Sequence, residues 1–229
     1  MKLAALISGG KDSMLALHLA AEQHDVVCLV TAIPDNPDSY MFHTPNLHIV
    51  DAIAGCLEKP LLKIPVSGEE EREVEELREG IECLKVDGLV IGGMQSEYQR
   101  KRFAAICEKL GLEIVAPLWG KEPEWIMEKV AESFDAIFVK VAAYGLDEEW
   151  LGRKIDERAI MELKELNRKY GIHVAGEGGE FETLVLDAPL YRKRIAVRDA
   201  TSRWFGDSGI YVIERFEIVE KVTGMSTLA

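Results

Sequence analysis

Two stretches of this chain combine residue types that can do chemistry. Ser8-Gly9-Gly10-Lys11-Asp12-Ser13 offers two glycines, a cation, a carboxylate and two hydroxyls in succession. Glycine lets backbone approach a ligand and reaches positive φ at little cost. The N–H groups and dipole of a following helix favour an anion, and Lys11 adds formal charge. A Walker loop is excluded, because Ala5 stands where that motif requires glycine. Gly176-Glu177-Gly178-Gly179-Glu180-Phe181-Glu182-Thr183 sets carboxylates among glycines. Crowded carboxylates repel unless they share a cation or a proton. The plain alternatives are an ordinary turn with a solvated lysine and an exposed acidic hairpin. Phe181 and the apolar run Leu184-Val185-Leu186 argue against the second.

A third stretch, Gly92-Gly93-Met94-Gln95-Ser96-Glu97-Tyr98-Gln99-Arg100-Lys101-Arg102, again ends a strand in Gly-Gly and opens a helix. Its first turns carry cations where carboxylates are usually preferred. Arg100 and Arg102 either face phosphates held over Lys11 or pair with the acidic surface.

These stretches need elements to hold them. Leu3 to Ile7 reads as a buried strand and Met14 to Gln23 as a helix. Val26–Ile33, Leu61–Val66, Gly88–Met94 and Glu113–Leu118 are further apolar runs of strand length. Helical periods separate them, with Val74, Leu77, Ile81 and Leu84 on one face and Phe103, Ile106, Cys107 and Leu110 on another. Near-continuous apolar strands alternating with amphipathic helices predict a parallel sheet covered on both faces. Ligands bind at the carboxyl ends of such strands, where Ser8–Ser13 stands. After polar Asp35–Ser39 a helix is expected near Pro45, and Glu69-Glu70-Glu71 stands at a helix start. Trp119–Pro123 is the expected boundary, giving domains 1–121 and 122–229. The second begins with a helix from Pro123 to Ser133 and an apolar strand from Phe134 to Tyr144. Asp156 is placed to cap a helix bearing Ala159, Leu163, Leu166 and Tyr170 on one face. Ile172–Ala175, Phe181–Leu186, Ile195–Val197 and Ile210–Val219 read as strands of a smaller α+β domain.

A formal net charge of -13 argues against a nucleic-acid partner, since phosphate backbones are held by clustered Lys and Arg. The four cysteines form no C-x-x-C pair, so neither zinc nor a disulfide framework is expected. No apolar run has the length of a membrane span, and no signal-peptide core is present. A cytoplasmic protein with no membrane partner is the expectation, with homo-oligomerisation left open.

Ser8–Ser13 at the first strand resembles the signature of the PP-loop (N-type) ATP pyrophosphatases. Gly176–Thr183 followed by Asp187-Ala188-Pro189-Leu190 narrows this further. So do Ala143-Tyr144-Gly145-Leu146-Asp147 and Trp150-Leu151-Gly152-Arg153 upstream, with Ser39-Tyr40-Met41-Phe42-His43-Thr44 and Tyr98–Arg102. Together, from about residue 3 to about 220, they resemble the diphthine–ammonia ligases, whose members complete diphthamide on translation elongation factor two. The resemblance implies a Rossmann-like, HUP-type parallel sheet with helices on both faces, plus a smaller α+β C-terminal domain. It also implies ATP and Mg²⁺, with elongation factor two and ammonium as partners. The carboxylate of diphthine would attack the α-phosphate, pyrophosphate would leave, and ammonia would displace AMP from the acyl-adenylate.

Under this resemblance Ser8, Gly9, Gly10, Lys11, Asp12 and Ser13 hold the phosphates, and Gly93, Tyr98, Arg100 and Arg102 face them. His43 and Thr44 flank adenine and ribose, and Asp12 places the metal. Glu177, Glu180 and Glu182, with Phe181, Tyr144 and Trp150 near them, suit the trimethylammonium group and ammonium, one glutamate taking a proton as base. Two rivals remain at this point: a PP-loop enzyme modifying tRNA, and a nucleotide-binding sensor without chemistry. A tRNA enzyme would want a basic surface and usually reactive cysteines; the net charge of -13 and the absence of paired cysteines count against it.

Overall fold

A computed structural model describes residues 1–35, 46–69, 71–93 and 97–221, without the side chains of Glu97 and Tyr98. The first half alternates β1 (Lys2–Leu6), α1 (Lys11–Ala21), β2 (Asp25–Pro34), α2 (Val50–Leu57), β3 (Leu61–Val66), α3 (Arg72–Ile81), β4 (Gly88–Val90), α4 (Glu97–Leu110) and β5 (Glu113–Val115). The five strands form one parallel sheet in the order β3-β2-β1-β4-β5. Successive side chains on a strand point to opposite faces. On β1, Ala4 therefore joins α3 and α4 side chains such as Leu77, Ile81 and Phe103 in one core. Leu3 and Ala5 join α1 and α2 through Met14, Leu17 and Ile53 in the other. Burial on both faces explains why β1 is apolar from Leu3 to Leu6.

The second half contains α5 (Pro123–Ser133), β6 (Asp135–Val141), α6 (Glu157–Tyr170), β7 (Phe181–Asp187), β8 (Lys193–Trp204) and β9 (Gly209–Glu220). Its sheet is antiparallel, ordered β7-β6-β9-β8. Asp156 caps α6 as its sequence position predicts, accepting the Ala159 N–H at 2.8 Å. One apolar core is common to both halves, running from Leu3 and Met14 through Phe138 and Leu184 to Ile213. α1 and α2 thus lie between the two sheets. The side-chain amide of Asn46 bridges the Tyr211 carbonyl and the Ile213 N–H of β9, each at 2.8 Å.

Several boundaries differ from the sequence expectation. α1 starts at Lys11 rather than Met14, so Lys11, Asp12 and Ser13 form its first turn instead of a loop. Ile172–Ala175 is irregular backbone rather than strand, because its polar groups are engaged locally around His173. The predicted helix start at Pro45 lies outside the described residues; from Leu47 a single 3-10 turn leads into α2. Cys56 and Cys107 are buried and unpaired in disulfides, as small apolar residues would be.

His18 ties the halves together. Its Nδ1 donates to the Met14 carbonyl at 2.7 Å, and Nε2 accepts the Leu190 N–H at 3.1 Å. Its ring packs 4.8 Å from that of Phe134. Burial holds the pKa down from 6.5 to about 4; the bond to Met14 opposes this and the Lys221 charge adds to it. A folded pKa below the unfolded value means stability present above pH 6.5 and lost as pH falls towards 4. Relative to a His18→Gln variant, the protein is expected to lose about 3 kcal/mol across that window. Urea denaturation at both ends of the window measures it, and an unchanged difference between the two proteins would contradict it.

Candidate active site

β1 delivers the chain to Ser8–Gly10 at the carboxyl edge of the parallel sheet, and α1 begins at once. Gly9 sits at φ 83°, and a Cβ there would fall 2.7 Å from Ile53 Cδ1. Hydroxyls close the loop: Ser8 N–H donates to Ser13 Oγ at 3.2 Å, and Ser13 Oγ donates to the Gly10 carbonyl at 3.0 Å. α1 has no side-chain cap of its own. Instead Thr183 Oγ1, from β7 of the other sheet, accepts the Lys11 N–H at 3.0 Å. Beside it, Val185 N–H donates to the Gly9 carbonyl at 2.9 Å. The glycine loop therefore lies along β7. The first and second stretches of the sequence meet here.

Lys11 is only 3% exposed. Its ammonium donates to Asp12 Oδ2 at 2.8 Å and to the Ala175 carbonyl at 2.6 Å, with the Phe181 ring centroid 5.3 Å away. A buried charge persists only when paired and hydrogen-bonded, and this one is both. Lys11 thus stands beneath the loop, braced against the second half, rather than at an open mouth. Asp12 Oδ1 is buried and has no hydrogen-bond partner among the described residues. An orphaned carboxylate oxygen at this position fits a Mg²⁺ ion, which needs only one or two protein carboxylates when phosphates and water complete its shell. Among the described residues no group of three or more acidic, His or Cys side chains could hold a metal alone.

The acidic loop is ordered by its own hydrogen bonds. Glu180 accepts the His173 N–H at Oε1 and the Gly178 N–H at Oε2, both at 2.8 Å. Glu182 pairs with Lys140 at 2.8 Å and is largely buried. Glu177 is half-buried, and its N–H donates to His173 Nδ1 at 3.3 Å. The crowded carboxylates are thus reconciled by backbone donors and one lysine. Of the neighbouring aromatics, Phe181 and Trp150 are buried, and Trp150 packs edge-on to Phe138 at 5.1 Å under Arg153. Tyr144 is exposed, 4.8 Å from Tyr170, which therefore leaves the apolar face of α6 that its spacing suggests.

Gly92 presses on α1: a Cβ there would fall 2.7 Å from the Ser13 backbone nitrogen, so the segment after β4 and the first turn of α1 are in direct contact. Gly93 follows with more room. Arg100 stacks on Trp119 at 4.4 Å, and Arg102 pairs with Glu71. His43, Thr44 and the side chain of Tyr98 lie outside the described residues. His173 and the Ala175 carbonyl are participants that the sequence did not single out. A lone histidine in an apolar run carries no signal of its partners.

A parallel 3-2-1-4-5 sheet with a glycine loop at its first crossover defines a Rossmann-like α/β protein. The family model described as Diphthamide synthase N-terminal domain matches residues 1–114, and the Diphthamide synthase C-terminal domain model matches residues 122–219. A "Diphthine--ammonia ligase" of Rattus norvegicus is 39% identical over 222 residues, covering 86% of this chain and 83% of that protein. One of Mus musculus is 36% identical over 255 residues, covering 98% and 95%. One of Homo sapiens is 38% identical, covering 86% and 83%. The chain belongs to the diphthine–ammonia ligase family, a family of ligases.

The cap that Thr183 provides is testable. Thr183→Val keeps the side chain's shape and strands the Lys11 N–H. The expected cost is about 1–2 kcal/mol of stability, with Thr183→Ser keeping most of it. Urea titration of the three proteins checks this, and equal midpoints for all three would contradict it.

Proposed function

We propose that this protein uses ATP and ammonium to amidate the diphthine carboxylate of translation elongation factor two, the last step in making diphthamide. The observation that carries the reading is the contact of the glycine loop with the glutamate loop through Lys11, Ala175 and Thr183. It supports the reading because the helix start proposed to take phosphate touches the element proposed to receive the other substrates. A cytoplasmic location accompanies this role, and among the described residues no helix is long and apolar enough to cross a membrane.

In this reading the outer phosphates of ATP lie on Ser8–Ser13, at the start of α1 beyond the Lys11 N–H that Thr183 caps. The substrate carboxylate attacks the α-phosphorus, and pyrophosphate departs with the electron pair of the broken P–O bond. The Lys11 ammonium supplies a fixed positive charge beneath that leaving group. Its surroundings are dry, and a preorganised charge costs no reorganisation as negative charge develops. Asp12 is the residue assigned to hold Mg²⁺, which neutralises phosphate charge when bound. Ammonia then attacks the acyl carbon, AMP leaves, and the nitrogen sheds a proton. The proton acceptor is proposed to be Glu177, half-buried two residues after the Ala175 carbonyl that holds Lys11. Arg100 and Arg102 are proposed to contribute positive field at the edge of the phosphate site from their places on Trp119 and Glu71. Gly93, Tyr98, His43 and Thr44 remain proposed contacts to the nucleotide.

Pyrophosphate release tests the reading. Release is expected only with the diphthine-bearing factor, sustained when ammonium is present and limited to about one equivalent per enzyme when it is left out. Release with tRNA instead favours a tRNA-modifying enzyme, and release with neither acceptor favours a sensor without chemistry. Glu177→Gln is expected to lower amide formation by about 100-fold while leaving ATP–pyrophosphate exchange within about twofold. An unchanged amidation rate would remove Glu177 from the mechanism.

A further inference from the structure

We infer that His173 is a positioning residue: its neutral imidazole shapes the turn whose Ala175 carbonyl fixes the Lys11 ammonium. The inference rests on the reading that Ser8–Ser13 binds ATP, and the turn itself stands on geometry alone. His173 Nδ1 accepts two backbone N–H groups, from Ala175 at 3.2 Å and from Glu177 at 3.3 Å. An imidazole nitrogen that accepts carries no proton, so the hydrogen resides on Nε2. The main chain of His173 is held at both ends of the same turn. Its N–H donates to Glu180 Oε1 at 2.8 Å, and its carbonyl accepts the Gly176 N–H at 3.0 Å.

Ala175 joins this turn to the glycine loop. Its N–H is fixed by the imidazole, and its carbonyl accepts Lys11 Nζ at 2.6 Å. The residues that follow give the turn little stiffness of their own, since Gly176 and Gly179 both sit at positive φ and Gly178 lies between them. Glycine costs more entropy to order than any other residue, so a flexible turn needs side-chain acceptors to hold one shape. His173 and Glu180 are those acceptors. Without the imidazole the Ala175 carbonyl loses its orientation, and the buried ammonium loses its neutral partner. Lys11 would then draw Asp12 out of place, and the nucleotide would be held less well. The chain of contacts runs Glu180, His173, Ala175, Lys11, Asp12.

The imidazole ¹⁵N spectrum of the full chain decides the first part. An unprotonated Nδ1 with a protonated Nε2 at neutral pH is expected, and a protonated Nδ1 overturns the inference whatever the variants do. His173→Ala is expected to speed amide exchange at Ala175 and Glu177 and to weaken ATP binding about tenfold. His173→Asn, whose Oδ1 offers an acceptor near the place of Nδ1, is expected to restore binding to within about threefold. Equal ATP affinity in wild type and His173→Ala, or failure of His173→Asn to rescue, would refute the positioning role. A wild type that binds ATP but releases no pyrophosphate with the diphthine-bearing factor would instead refute the proposed function and leave the His173 result standing.

Discussion

A lysine ammonium taken out of water is the constraint around which this molecule is built. Lys11 is 3% exposed and survives there because Asp12, the Ala175 carbonyl and the Phe181 ring surround it. Removing one partner from such a pair costs about 3–5 kcal/mol, since the remaining charge stays buried. Two of the three partners come from the second half of the chain. The first half therefore cannot hold its own loop residue in this place. The shared core and the Thr183 cap on α1 follow the same logic, each completing on one sheet what the other leaves open.

In the proposed function, phosphate binding and acceptor binding are parts of one contact. Ser8–Ser13 is shaped from below by β7, and the glutamate loop is anchored to the same strand and to Lys11. Interfaces packed at this density do not deform continuously, so a ligand that shifts one loop must shift the other. That arrangement suits the proposed reaction, in which an adenylate would be held while a second substrate is admitted and water is kept out. Carboxylates that look alike in the sequence acquire different roles here. Glu180 shapes backbone, Glu182 answers Lys140, and Glu177 stands at the turn beside the imidazole that holds its N–H.

Much of this is legible in the sequence where the interaction is local. The apolar run of β1, the glycines after it and the Asp156 cap each depend on residues a few positions apart, and each lands where expected. α5 spans Pro123–Ser133 as its pattern predicts, because Pro at a helix start and an apolar stripe are both short-range signals. What the sequence hides is long-range. Lys11 reads either as a solvated lysine or as a charge beside a bound anion, and its bonds to residues 164 and 172 positions away are not foreseen. Ile172–Ala175 reads as strand by composition, yet the His173 side chain outcompetes a ladder for its backbone groups. Tyr170 fits the apolar stripe of α6 by spacing, but it closes an exposed pair with Tyr144.

The coupling of the two loops is open to one direct measurement. Hydrogen exchange on the full chain, with and without a non-hydrolysable ATP analogue, reports both segments at once. Slowed exchange is expected in residues 8–13 and in 173–183 together, although only the first is expected to touch phosphate. Protection confined to 8–13, with 173–183 unchanged, would show that the buried lysine does not join them.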